Sequence, residues 1–144
     1  MPVFTRRLEL AATSEGEVVD ITGKVQQVLE DSGFDEGVAT VFVPGSTAAV
    51  TTIEYEPGLA KDFPDMLERL APRGIPYEHQ KAWHDDNGHS HVKASLVGPS
   101  LSVPFEDGHL TLGTWQQIAF VELDVRSRRR EVVVQMVGEP KDAL

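Results

Sequence analysis

The chain contains no cysteine. Disulfides, thiolate-ligated metals and cysteine nucleophiles are therefore excluded. Basic residues are scarce too: 13 lysines and arginines stand against 23 aspartates and glutamates, a formal net charge of -10. A surface of that sign repels nucleic acid and anionic lipid at long range, so neither is expected as a partner. No apolar run approaches the roughly 20 residues that cross a bilayer, and Met1 to Arg7 lack the apolar core of a secretory signal. A soluble chain with a cytoplasmic address and no membrane contact is expected. What remains is ordinary globular composition, 40 % hydrophobic and 25 % charged over 144 residues. A chain of that size holds a core without staples, and residues 1–144 are read as one domain.

Hydrophobic patterning gives the fold class. Val3 to Leu10 alternates as an opening strand. Thr22 is placed to cap a short helix carrying Val25, Val28 and Leu29, with Gly33 as its stop. Val38 to Val43 and Ser46 to Tyr55 are β-branched strands parted by Pro44-Gly45. Leu59, Phe63, Met66, Leu67 and Leu70 mark one face of a second helix, with Pro64 inside and Pro72 closing it. Residues 73–88 form a polar, turn-rich loop of functional length. His91 to Val97, Leu101 to Phe105, His109 to Leu112, Trp115 to Val125 and Glu131 to Val137 then follow as strands with short gaps that favour antiparallel pairing. The expected class is α+β, an antiparallel-rich β-sandwich or roll flanked by two helices.

Chemistry concentrates in Trp83-His84-Asp85-Asp86-Asn87-Gly88-His89-Ser90-His91. If His89 to His91 is extended, both imidazoles leave one strand face and meet one ion or one phosphate. A third metal ligand then comes from His79, His84, Asp85, Asp86 or Glu54. The same histidines also suit general acid/base work, or simple hydrogen bonding at a surface. Lys93, two residues on, shares that face in a regular strand and can neutralise an anion. Pro44-Gly45-Ser46-Thr47 offers two hydroxyls to a phosphate, although it reads equally as a plain turn. Trp115 either packs or walls a pocket in which Gln116 reads polar groups. Arg126, Arg128, Arg129 and Arg130 are a solvated hairpin connection or an anion contact.

Several strings together resemble the YjbQ family: Ser46-Thr47-Ala48-Ala49-Val50-Thr51 with Glu54, Tyr77-Glu78-His79, Asn87 to Ser100, Leu112-Gly113-Thr114-Trp115-Gln116-Gln117-Ile118, and Arg129-Arg130 before Gly138-Glu139. The resemblance implies a trimeric α+β protein of unsettled function with a weak, secondary thiamine phosphate synthase activity. The family's polar signature falls on Glu54, His79, Asn87, His89, His91, Lys93 and Gln116; His84 and His109 lie outside it. Many members carry His-Thr-Ser where this chain has Gly45-Ser46-Thr47, so one imidazole of the usual set is missing.

The resulting expectation is a homotrimer that joins a pyrimidine diphosphate to a thiazole phosphate. Glu54, His79, His91, Lys93 and Gln116 are its catalytic candidates, and Ser46, Thr47 and Asn87 would bind a small anionic or phosphorylated molecule. His79, His89 and His91 would hold a divalent metal ion. The alternative is a non-catalytic metal- or small-ligand-binding trimeric module.

Overall fold

The computed structural model describes residues 2–142, the side chains of Ala12 and Thr13 excepted. Its elements run β1 (Val3–Thr13), β2 (Val18–Asp20), α1 (Thr22–Ser32), β3 (Phe34–Phe42), β4 (Ala48–Ile53), α2 (Pro57–Leu70), α3 (Glu78–Trp83), α4 (Gly88–Val97), β5 (Ser100–Glu106), β6 (His109–Leu110), β7 (Gln117–Glu122) and β8 (Arg128–Pro140). The α+β class and the antiparallel pairing expected from the sequence are both present.

Five strands form one antiparallel sheet in the order β1-β8-β3-β5-β6, and three form a second in the order β2-β7-β4. The inner face of the long sheet is built by alternation: Val132, Val134 and Met136 of β8 point inward and are buried. Opposite them lie Val50 of β4 and Ile118 and Phe120 of β7, with Val25, Val28 and Leu29 of α1 closing the same core. The short sheet is covered on its other face as well, where Ala49, Ala119 and Val121 meet Leu67 of α2 and Ala94 of α4. Burial on both faces explains why β7 reads as a continuous apolar run.

Local signals explain the helix ends. Gly33 adopts φ 72 and stops α1, its N–H bonding Glu30 O. Thr22 does not cap α1 as expected: it is the first helical residue, and its Oγ1 accepts from Ile118 N (2.8 Å), tying the helix to β7. The Thr22 N–H goes instead to Asp20 Oδ1 (2.9 Å). Helix α2 begins earlier than the apolar pattern indicates, because Glu56 accepts from the N–H groups of Gly58 and Leu59 with Pro57 in the first turn.

The largest correction concerns residues 78–97. The expected loop contains α3, and the expected strand from His91 to Val97 is the body of helix α4. Among the described residues the flanking helices are therefore four rather than two. Helix α4 buries Gly88, His89, Ser90, Lys93 and Ala94 and leaves Val92 and Leu96 exposed, so these two large apolar side chains do not mark its inner face. Among the described residues, no helix is long and apolar enough to cross a membrane.

Candidate functional site

A helix turns about 100° per residue, so His89 and His91 project roughly 200° apart while His89 and Lys93 share a face. The polar signature is thereby divided. His89 and Lys93 turn inward and His91 turns to the opposite side, which ends the expectation of two alternating imidazoles facing one guest.

On the inner face every charge has a partner. His89 is 1 % exposed, with Nε2 2.7 Å from Glu15 Oε1. Lys93 Nζ donates to Glu68 Oε1 at 2.6 Å. Arg73 bridges Glu15 Oε2 (3.1 Å) and Asp86 Oδ2 (3.4 Å) and gives its backbone N–H to Glu68 Oε2. Burial alone pushes the Glu68 carboxyl up, but the bonds from Lys93 and Arg73, with the attraction of Lys93 and His89, hold it below the usual range. Glu15, Glu68, Arg73 and Lys93 line a cleft of about 310 Å³ between α2, α4 and the β1–β2 turn. They fasten α4 to its neighbours, and Lys93 is not free to meet an anion.

On the outer face a second group assembles from α3 and the start of α4. The His79 and His91 rings lie 4.6 Å apart between centroids, tilted by 51°. His79 Nε2 is 3.2 Å from Asp85 Oδ1. With its amide nitrogen turned inward, Asn87 donates to Asp85 Oδ1 (2.8 Å) and to His79 Nε2 (3.1 Å). The opposite amide orientation suits the His79 tautomer with its proton on Nε2, which then donates to Asn87 Oδ1 at 3.1 Å. His91 borders a depression of about 150 Å³ shared with Gly45, Ser46, Ser95 and Pro99. Ser46 is exposed at its edge.

Thr47 is placed elsewhere. Its Oγ1 donates to Asp124 Oδ2 (3.0 Å) and accepts from Arg130 Nη2 (2.9 Å), all within a buried network. Arg130 also donates through Nε to Glu122 Oε1 (2.8 Å), and Asp124 pairs with Arg128 (3.0 Å). The arginine turn is thus only partly solvated: Arg126 and Arg129 are exposed, while Arg130 is 7 % exposed. Burial pushes the Asp124 carboxyl up, but the Thr47 hydroxyl, Arg128, the Val125 N–H and Arg130 together hold it below the usual aspartate range.

Glu54 and Gln116 lie at the far end of β4. Glu54 is exposed just past the strand, and Gln116 Nε2 donates to Thr52 Oγ1 (3.1 Å). Gln116 borders a separate groove of about 400 Å³ between β4 and β5. Six residues of strand separate Glu54 from Ala48, about 20 Å at 3.3 Å per residue, so one chain does not bring Glu54 to His91. Trp115 is 72 % exposed and packs into no core. Among the described residues, no three histidine, aspartate or glutamate side chains form a group able to hold a metal ion.

Asp85 is a candidate ligand by residue type alone, whereas nothing in the sequence marks Glu15, Glu68, Glu122 or Asp124 as partners. A helical hairpin over 78–97 would have brought Asp85 to His79; the pairings of Glu15 with His89, Glu68 with Lys93 and Asp124 with Thr47 link residues far apart in the sequence and leave no local signal.

The ordered strings in this arrangement match the sequence profile described as UPF0047 protein YjbQ-like over residues 6–139. The chain belongs to this family. A UPF0047 protein of Methanothermobacter thermautotrophicus is 41 % identical over 140 residues, covering 97 % of this chain and 96 % of that protein. UPF0047 protein YugU of Bacillus subtilis is 37 % identical, covering 92 % and 98 %. Among solved structures, a YbjQ-like protein of unknown function from Sulfolobus solfataricus superimposes with a TM-score of 0.89 at 36 % identity, covering 96 % of this chain and 99 % of that one. A hypothetical protein from Aeropyrum pernix gives 0.87 at 38 %, covering 94 % and 98 %. The UPF0047 fold is thus common to this chain and its relatives.

Proposed function

We propose that the protein binds and acts on a small phosphorylated molecule at the His79–Asn87–His91 surface, as a weak thiamine phosphate synthase of cytoplasmic address. The single observation that carries this reading is the approach of the two rings to 4.6 Å beside Asn87, with Ser46 exposed at the adjoining depression. The reaction joins a pyrimidine diphosphate to a thiazole phosphate, and the departing pyrophosphate is where negative charge builds up. Imidazole N–H groups and the Ser46 hydroxyl are suited to receive that charge. Asn87 and Asp85 orient His79. Lys93 and His89 are positioning residues in this scheme, because their contacts hold α4 in place.

Glu54 and Gln116 join the site in this proposal from a neighbouring subunit of a homotrimer, since about 20 Å of strand keeps them from His91 of their own chain. Replacing His91 by Ala is expected to lower the synthase rate by about a hundredfold or more with the melting temperature unchanged. An unchanged rate overturns the reading. Light scattering that returns a monomer overturns the subunit arrangement.

The paired rings with Asp85 3.2 Å from His79 Nε2 favour one second reading, a non-catalytic module that holds a divalent ion or small ligand. One chain does not supply three converging ligands, so no reaction step is routed through an ion. Stoichiometric transition metal in protein purified without an affinity tag, with no turnover of thiamine precursors, would favour the module. Metal-free protein that turns over would remove it.

A further inference from the structure

Strands β4 and β5 flank a common groove without pairing across it. β4 is the last strand of the short sheet, and β6 pairs with β5 at Phe105 and Glu106 only, so each strand has an edge with no partner strand among the described residues. Bonds at the ladder ends fix which backbone groups point to those edges. Thr47 O accepts from Leu123 N (3.1 Å) on the β7 side, whereas the Val50 N–H turns away from β7 and donates to Gly98 O (3.2 Å). By the two-residue repeat of a strand, Thr52 also directs its N–H and C=O away from β7. On β5, Pro99 O accepts from Val43 N (2.8 Å) on the β3 side, and Pro104 O accepts from Thr111 N (3.0 Å) on the other. Ser102 shares the register of Pro104, so its N–H and C=O point away from β3. Thr52 and Ser102 both border the groove of about 400 Å³, as does Gln116, whose amide is tied to Thr52 Oγ1 and the Gly113 N–H.

We propose that this groove binds an uncharged heterocycle with a cyclic amide edge, an N–H beside a ring C=O, as a free nucleobase or nucleoside of the uracil type presents. The volume lies in the small-ligand range of roughly 300–1,000 Å³. None of the lining residues is ionisable, in a chain of which 25 % is charged. A charged group would lose its water there without meeting a counter-charge. Leu101, Val103 and Leu112 offer apolar surface to the faces of a ring. The N–H and C=O of one strand residue set a donor beside an acceptor, the complement of an amide edge. A strand from a peptide or a second copy would need a longer ladder. On β4 the Val50 N–H is already bonded to Gly98, and on β5 Pro104 has no N–H to give, so the free run is shorter than the roughly 3–10 residues of ordinary strands. The formal charge of -10 disfavours a nucleic acid polymer and leaves the free base or nucleoside. This site is separate from the histidine surface and does not depend on it.

The test is titration of the nitrogen-15-labelled full chain with uridine, N3-methyluridine and ribose, followed through the backbone amide resonances. Uridine is expected to shift the Thr52 and Ser102 amides along one saturation curve with a Kd on the order of millimolar. N3-methyluridine, in which a methyl replaces the ring N–H, should bind about tenfold or more weakly, because a backbone C=O is left without its donor. Ser102→Pro removes one backbone donor at a position where proline fits, since Pro104 occupies the same register, and should weaken uridine severalfold. Equal affinity for the two nucleosides, equal shifts with ribose, wild-type affinity in folded Ser102→Pro, or no shift with uridine at about 10 mM overturns the proposal. Slow hydrogen exchange of both amides in the ligand-free chain overturns it as well, by showing the edges covered by a strand of a second copy. The nucleoside comparison is made on the wild type, so the proposal stays exposed if Ser102→Pro fails to fold.

Discussion

Replacing His89 by Ala should behave as a core mutation although the residue sits in the middle of a histidine-rich motif. The ring is 1 % exposed and its Nε2 lies 2.7 Å from Glu15 Oε1. Truncation removes a buried ring and leaves a cavity on the α4 face that packs toward α2. It also takes from Glu15 its closest partner, although Arg73 remains at 3.1 Å. Glu15 keeps contact with solvent, its side chain being 27 % exposed, so the carboxylate is not stranded. The cavity and the lost hydrogen bond together cost about 2–4 kcal/mol. For a chain of this size that lowers the melting temperature by roughly 10 °C. Urea unfolding followed by far-UV circular dichroism should show a lower midpoint with an unchanged slope. Phosphate or substrate affinity, measured below the unfolding transition, should stay at the wild-type value. A variant that keeps wild-type stability and loses ligand binding would refute the division of the motif by α4.

Ser90→Ala should stabilise the fold by about 1 kcal/mol, because Ser90 Oγ is buried with no partner among the described residues and alanine is the better helix former; a loss of stability in urea melts would count against this. Gly88→Ala should destabilise by about 1–3 kcal/mol despite the helix preference of alanine, since its Cβ would lie 2.6 Å from Tyr77 Cβ while the Tyr77 hydroxyl is tied to Pro72 O; unchanged stability would show that Tyr77 yields freely. Asp124 is held below its ordinary value of 3.8, so its contribution to stability is full above that pH and is lost as pH falls through the lower folded value. The stability gap between wild type and Asp124→Asn should therefore be open at about pH 6 and shrink at about pH 3; a gap of constant size would argue that the carboxylate charge is immaterial.

The longer strands and the first two helices are legible because their buried faces are apolar, whereas the three-residue β2 (Val18–Asp20) is too short to show a pattern. Val132, Val134 and Met136 alternate along β8, and Val25, Val28 and Leu29 recur at helical spacing in α1. Helix α4 breaks that rule. Its inner face is Gly88, His89, Ser90, Lys93 and Ala94, held by ion pairs and small-residue packing, while Val92 and Leu96 face outward. An apolar periodicity therefore points the wrong way, and the alternating His89, His91 and Lys93 imitate a strand. The candidate residues themselves were identifiable from their types; their grouping was not. Thr47 looks like a free turn hydroxyl until Asp124 and Arg130 are seen around it, and Arg130 looks like one member of a solvated run until Glu122 is placed beneath it. Glu122 and Arg130 sit on β7 and β8 and Asp124 in the turn between them, and nothing in the local sequence announces their pairing.

The most direct test follows the five imidazoles by nitrogen-15 NMR while pyrophosphate is titrated into the full chain. The account predicts that the His79 and His91 resonances move together with a common saturation curve, and that buried His89 and remote His109 stay in place. Movement of His89 in step with His91, or binding that leaves both His79 and His91 unmoved, would contradict it.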